Sequence, residues 1–336
     1  MEYEDLVVYH RGEFRRYRDT GVGLLTHGLL YGTGCFEGMR AFWNAERGEL
    51  FVREPSAHFR RFTANAKLLL MDLPPIAELT AIVTELCRRN GFREDVYLRP
   101  VAYKSEESLG VGLDGLAGDF FVVAVAGFGK RSEAALNACV SSWRRVDDNA
   151  IPPRAKITGS YVNSSFAKSE ARLNGFDEAI VLNDDGHVAE GTTANLVLVR
   201  DGVAVMPPTT DNNLESVTGR LVRSIVSRGL ELDVRERQID RTELYGADEI
   251  ILCGTGLGIA AVGSIDHRAI GAGEPGPVYR ALSRIYDDVV RARDVRFGTE
   301  TVAVYGDDAR GAPAGTANRA TVATPSAMAA SISAPR

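Results

Sequence analysis

The chain has 336 residues, a length that predicts two domains or one large one, and its 45% hydrophobic and 25% charged residues match a folded protein with an ample core. A net charge of −6 leaves no basic face to neutralise nucleic-acid phosphates, and no apolar run reaches the ~18–20 residues that span a bilayer. The opening MEYEDLVVYHRGEF is acidic and lacks an apolar signal core, so a cytoplasmic protein is expected.

In chain order, LVVYH and EFRRYR alternate around Arg11-Gly12 and predict a β-hairpin. Strands are predicted at 36–43 and 49–53. Pro55 then opens a helix to residue 70 with Phe59, Phe62, Ala66 and Leu69 on one face. A second helix, 76–90, stops at Gly91, which tolerates a left-handed end. Strands at 96–103 and 120–126 complete a small α+β domain over residues 1–126. Residues 127–135, GFGKRSEAA, read as an interdomain loop, and 136–298 as a larger domain. There the pattern predicts a strand at 138–142, a helix at 161–174 and a strand at 178–182, then the turn NDDG at 183–186. Strands at 195–200 and 203–206, a helix at 217–229, strands at 232–237 and 249–253, and a helix at 278–293 follow. From 299 to 336 Ala, Pro, Ser, Thr and Gly dominate, a composition that predicts a disordered tail.

Cys35, Cys87, Cys139 and Cys253 form no CxxC pair, which points to buried thiols rather than to zinc or disulfides. His10, His27, His58, His187 and His267 lack ligand spacing and read as structural. Lysine is scarce, five residues in all, and Lys156 stands in IPPRAKITGSY at the end of a predicted strand. Beyond the NDDG turn, VAEGTTANL presents Glu190 where a carboxylate can point inward. A pyridoxal-5'-phosphate (PLP) site needs an amine for a Schiff base, an anion opposite the pyridine nitrogen, and N–H groups at helix starts for the phosphate. SVTGRLV (216–222) opens a helix with small residues, and CGTGLG (253–258) is a glycine-rich turn.

At these residues the chain resembles the fold-type-IV PLP enzymes, in the branched-chain aminotransferase branch, over about residues 5–295. HGLLYGTGCFEGMRAF (27–42) is similar to that family's substrate-side strand, HFRRFTANAKLL (58–69) to its phosphate-arginine helix and YLRP (97–100) to its carboxylate-binding strand. PPRAKITGSYVNSS (152–165) is similar to its lysine segment and EARLNGFDEAIVLNDDGHVAEGTTANL (170–196) to its glutamate segment. The resemblance implies a two-domain α/β (α+β) fold like that of D-amino acid aminotransferase. It implies transfer of an amino group between an L-amino acid and a 2-oxo acid such as 2-oxoglutarate, by a homodimer or larger homo-oligomer. Lys156 would carry the cofactor and shuttle the proton, Glu190 would pair with the pyridine nitrogen, and Tyr161 would bind the phenolic oxygen. Arg61, rather than its neighbour Arg60, would bind the phosphate with Val217, Thr218 and Thr255. Tyr31, Phe36, Gly38, Arg40, Tyr97, Arg99, Thr255 and Gly256 would form the substrate side, some of them serving a neighbouring subunit.

Arg99, ahead of Pro100 in an apolar strand, supports this independently, since a buried guanidinium needs a partner and a substrate carboxylate supplies one. Rival readings are a PLP lyase of the aminodeoxychorismate lyase type and a D-amino acid aminotransferase, both on the same fold, and a non-catalytic scaffold. Gly256-x-Gly258-x-x-Ala261 also fits a dinucleotide fingerprint, but without a βαβ unit around it. Departures from the family surround the substrate side chain: Thr192-Thr193-Ala194 for a glycine-rich stretch, NLES (213–216) for Leu-Pro-Gly, and GTGLGIAAV after strand 249–253. Lys130 and Arg131 stand where the family offers an aromatic wall. Reaching over the site they would favour a polar or anionic substituent; pointing to solvent they would do nothing.

Overall fold

Two β-sheets, each built from strands whose apolar faces need cover, organise the chain; the computed structural model describes residues 3–128 and 134–306. The first sheet has eight strands. Its main path runs Thr301–Ala303, Glu49–Arg53, Met39–Asn44, Val96–Lys104, Gly118–Ala126, Val7–His10, Glu13–Arg16. The turn at Arg11 and Gly12 has positive φ at both residues (54° and 80°), which matches the twist of the strands it joins. The helices Pro55–Leu68 and Ile76–Asn90 cover one face: Phe59, Phe62, Leu79, Val83 and Leu86 pack on Leu98, Val122 and Ala124. Side chains alternate along a strand, so Tyr97 and Arg99 project from the opposite face. The strand expected at 36–43 is two strands. Gly34–Phe36 pairs with one end of Val96–Lys104 and Met39–Asn44 with the other, and between them the Glu37 N–H donates to Pro100 O at 2.9 Å.

The second sheet has nine strands, ordered Val188–Gly191, Glu178–Leu182, Leu136–Arg144, Gly258–Ile265, Glu249–Gly254, Asn195–Arg200, Val203–Met206, Asp233–Glu236, with Arg268–Ala269 beside Gly258–Ile265. Leu136–Arg144 runs parallel to Glu178–Leu182, and the helix Tyr161–Leu173 makes the crossover that a parallel pair requires. The helices Val217–Ser224 and Pro277–Val290 bury Val222, Tyr279, Leu282 and Tyr286 against Val197, Ile251 and Ile259. The helix expected at 217–229 is α-helical to Ser224 and then makes a π-helical turn over Ile225–Gly229.

One expectation is corrected. The chain was to lose structure from residue 299, yet Thr301–Ala303 pairs antiparallel with Glu49–Arg53 and Val304 is fully buried. The reason is Glu49, a buried carboxylate that accepts the N–H groups of Val304, Tyr305 and Gly306 at 3.1, 2.9 and 2.9 Å. Residues 307–336, and Lys130 and Arg131 of the interdomain loop, lie outside the described residues. Among the described residues no helix is long and apolar enough to cross a membrane. All four cysteines are free and buried, and burial pushes the thiols of Cys35, Cys87 and Cys253 up to about 12.

Candidate active site

The segment carrying Lys156 is stitched to the strand Gly34–Phe36. Phe36 N–H donates to Lys156 O at 3.0 Å, Thr158 N–H to Gly34 O at 2.8 Å, and the Thr158 hydroxyl to Gly32 O at 2.7 Å. Gly32 has φ +66°, and a Cβ there would fall 2.8 Å from Gly159 Cα, so this approach requires glycine. The Lys156 side chain enters a cleft where its Nζ donates to the hydroxyl of Tyr161, the first residue of the helix Tyr161–Leu173. Loss of hydration, and then the charge of Arg61, pull its ammonium down to about 8. Phe36 flanks both groups, 5.1 Å from Nζ and 4.6 Å from the Tyr161 ring centre.

Glu190 enters the same cleft from the strand Val188–Gly191. Pairing with Glu178–Leu182 shifts register between Val188 and Glu190, a bulge of the kind that re-aims a side chain. The buried carboxylate accepts from Asn195 Nδ2 at 3.2 Å and from Leu214 N–H at 3.3 Å, and its Oε1 lies 3.0 Å from Arg145 Nε. Burial pushes its pKa up, against the pull of Arg145 and the Leu214 N–H.

At one corner of the cleft a helix start, Thr255 and Arg61 come together. The helix Val217–Ser224 starts at Ser216, whose side chain accepts the Gly219 N–H at 3.0 Å, and its first turn carries N–H groups with no partner within the helix. The Thr218 and Thr255 hydroxyls meet at 3.1 Å beside that turn. Arg61 approaches from the helix Pro55–Leu68, its Nε and Nη2 donating to the two oxygens of Glu37 at 2.6 and 2.8 Å and its Nη1 to Glu215 O. Burial alone would raise the Glu37 carboxyl. The Arg61 charge and the hydrogen bonds from His58 and Arg61 overcome it and hold the group down at about 2.

Across the cleft stand Tyr97 and Arg99. Arg99 Nη2 donates to the Tyr97 hydroxyl at 2.8 Å, its guanidinium lies 4.5 Å from the Phe36 ring centre, and its Nε is buried without a hydrogen-bond partner. Gly38 makes room for this pair, since a Cβ there would meet the Tyr97 hydroxyl at 2.3 Å. Gly256 and Phe128 close the wall, with Phe128 4.6 Å from the Tyr97 ring.

Four of the expected residues are not on the wall of this cleft: Arg40, Val217 and Thr218 line a small cavity shared with Thr255, and Tyr31 lies on the surface. Arg40 lies over Phe42 at 4.8 Å and is 4.0 Å from Asp95, and Tyr31 is exposed with its hydroxyl donating to Leu109 O at 2.7 Å. Conversely, Glu37, His58, Arg145 and Asn195 were not foreseen, and His58, read as structural, is hydrogen-bonded to Glu37. Asn195 follows Glu190 by five residues and Arg145 directly follows the strand Leu136–Arg144, the only signals the sequence carried for them. The dinucleotide reading fails on shape: Glu249–Gly254 and Gly258–Ile265 form an antiparallel hairpin, with no helix after the glycines.

Four cations, Lys156, Arg61, Arg99 and Arg145, face two carboxylates, Glu37 and Glu190, so the cleft has a surplus of positive charge that suits an anion. A phosphate of about −1.5 to −2 charge, a ring nitrogen meeting Glu190 and an aldehyde within reach of Lys156 fit this donor set. These are the features of PLP. The amino-transferase class IV family matches residues 34–265, and the chain belongs to this family of PLP-dependent transaminases. It is 38% identical over 300 residues to a probable branched-chain-amino-acid aminotransferase of Aquifex aeolicus, covering 88% of this chain and 96% of that one. In structure it is similar to the branched-chain aminotransferase of the archaeon Thermoproteus uzoniensis with norvaline. That match has a TM-score of 0.84 and 37% identity, covering 89% of this chain and 99% of that one. It is also similar to the branched-chain amino acid aminotransferase of Thermobaculum terrenum in its PLP form, at TM-score 0.84 and 34% identity, covering 90% and 99% of the two chains. These likenesses favour an aminotransferase over the lyase-type alternative.

Proposed function

We propose that this transaminase moves the amino group of an L-amino acid with a branched apolar side chain to a 2-oxo acid such as 2-oxoglutarate. The observation that carries it is the convergence of Lys156, Glu190 and Arg99 on one cleft between the two sheets, which we take as the two domains. Bound PLP supplies an electron sink for the substrate Cα. Lys156 would hold the cofactor covalently, and its side-chain amine, which burial and the Arg61 charge bring down to about 8 in the protein itself, would take and return the proton at the substrate Cα. Tyr161 would hold the phenolic oxygen, and Glu190, steadied by Arg145, Asn195 and the Leu214 N–H, would keep the pyridine nitrogen protonated. Arg61, Val217, Thr218 and Thr255 receive the phosphate. Arg99, whose Nε lacks a partner, takes a carboxylate, with Tyr97, Gly38, Phe36 and Gly256 shaping the space around it.

The working unit in this reading is a homodimer in the cytoplasm. Leu24, Leu29, Leu30, Tyr31, Leu109 and Val111 are exposed, and their segments are joined by the Ser108 N–H donating to Leu25 O at 3.1 Å. An apolar patch of this kind on an otherwise ordinary surface supports a second copy as its cover, and Tyr31 would then serve the neighbour's cleft. Free, unpaired cysteines suit a reducing compartment. The test compares kcat/KM for leucine, valine and glutamate with 2-oxoglutarate as acceptor, with Lys156→Ala as the inactive control. Leucine and valine should lead, and borohydride should fix the cofactor on residue 156 of the wild type. A clear preference for acidic or hydroxylated donors would overturn the substrate class, and its loss in a Lys130→Ala/Arg131→Ala variant would trace it to the interdomain loop.

A further inference from the structure

His58 and Arg61 lie three residues apart on the helix Pro55–Leu68, and so share a face. Both grip one carboxylate: His58 Nδ1 donates to Glu37 Oε2 at 2.8 Å, and Arg61 donates to Oε1 and Oε2 at 2.6 and 2.8 Å. Glu37 is fully buried at the break between two strands, its N–H fixed to Pro100 O. Burial lowers the His58 pKa, so the ring is neutral and carries its proton on Nδ1, where the ionised Glu37 accepts it. A guanidinium has five N–H donors. Two go to Glu37 and one to Glu215 O, which leaves one on each terminal nitrogen for a ligand. His58 also borders a small cavity together with Thr218 and Thr255, the hydroxyls at the helix-start half of the phosphate corner.

We propose that Glu37, held by His58, is a positioning residue that presents the Arg61 guanidinium to the cofactor phosphate, and so makes the site selective for the phosphorylated cofactor over pyridoxal. This rests on the assignment of Arg61 to the phosphate. A pair that merely tied the helix to the sheet would affect both forms of the cofactor alike.

The test uses cofactor-free full-length protein as wild type, Glu37→Gln, His58→Asn and His58→Leu, with dissociation constants for PLP and for pyridoxal and the ³¹P resonance of bound PLP. Wild-type binding of PLP sets the baseline, and its absence would mean that the cofactor assignment itself is wrong. Glu37→Gln should weaken PLP about ten- to hundredfold, as expected for one misdirected charge-assisted contact. It should also move the ³¹P resonance and lower the preference for PLP over pyridoxal, because the influence of the Glu37 charge on Lys156 falls on both forms alike. His58→Asn, which keeps an N–H donor near the position of Nδ1, should stay close to wild type, while His58→Leu should follow Glu37→Gln. The proposal is overturned if PLP and pyridoxal weaken equally, if neither weakens, or if His58→Leu matches wild type. Should Glu37→Gln fail to fold, the two His58 variants decide the matter between them.

Discussion

Lys156 combines two demands that oppose each other in water: an amine neutral enough to attack a carbonyl, and a charge-bearing group beside two anions. Desolvation in the cleft, followed by the Arg61 charge, resolves the conflict by moving its pKa to about 8. The neutral fraction of an amine falls about tenfold for each pH unit below its pKa. Capture of PLP by cofactor-free protein should therefore accelerate about tenfold per unit up to pH 8 and level off above it. Stopped-flow absorbance at fixed ionic strength measures this. A rate that kept climbing toward pH 10 would show an amine with an ordinary lysine pKa, and hence a site other than the one described.

Elements made of long or branched apolar residues were legible in the sequence: the strands Glu178–Leu182, Asn195–Arg200 and Val203–Met206 lie where the pattern put them, as does the helix Ile76–Asn90. Gly258–Ile265 was not, because GIAAVGSI is poor in bulky β-formers and becomes a strand only through burial between two neighbours. Of the cleft, Lys156, Glu190, Tyr161, Arg61 and Arg99 were found through motif likeness. Glu37, Arg145 and Asn195 escaped because a residue whose role is to hold another side chain is defined by contacts distant in sequence. The strand Thr301–Ala303 and the buried turn after it were hidden for the same reason, since their partners, the strand Glu49–Arg53 and the Glu49 carboxylate, are some 250 residues away. A chain ending at residue 298 loses three N–H contacts to a buried carboxylate and exposes the Val304 site. It should be destabilised by about 3 kcal/mol or more, a fall of several degrees in Tm. Glu49→Gln should destabilise the full chain more than the shortened one. Calorimetry showing equal Tm for full and shortened chains would mean that the strand contributes nothing.

At the scale of the whole molecule, the exposed apolar segments 24–31 and 107–111 predict assembly. Leu109→Arg should convert the protein from dimer to monomer in light scattering and depress kcat/KM more than it depresses PLP content, because Tyr31 would no longer reach a neighbour. A wild type that is monomeric and fully active would remove the basis for that reading. The chain as a whole is acidic, with a net charge of −6, yet its cleft sets four cations against Glu190 and the Glu37 buried behind Arg61. Field lines concentrate in such a pocket and draw small anions toward it from a surface that otherwise repels them. The bench consequence is a choice of buffer. Inorganic phosphate should occupy the corner formed by Arg61 and the start of the helix Val217–Ser224, so reloading stripped enzyme should slow as phosphate concentration rises. The same reloading in a zwitterionic buffer, matched with chloride for ionic strength, should run at full speed.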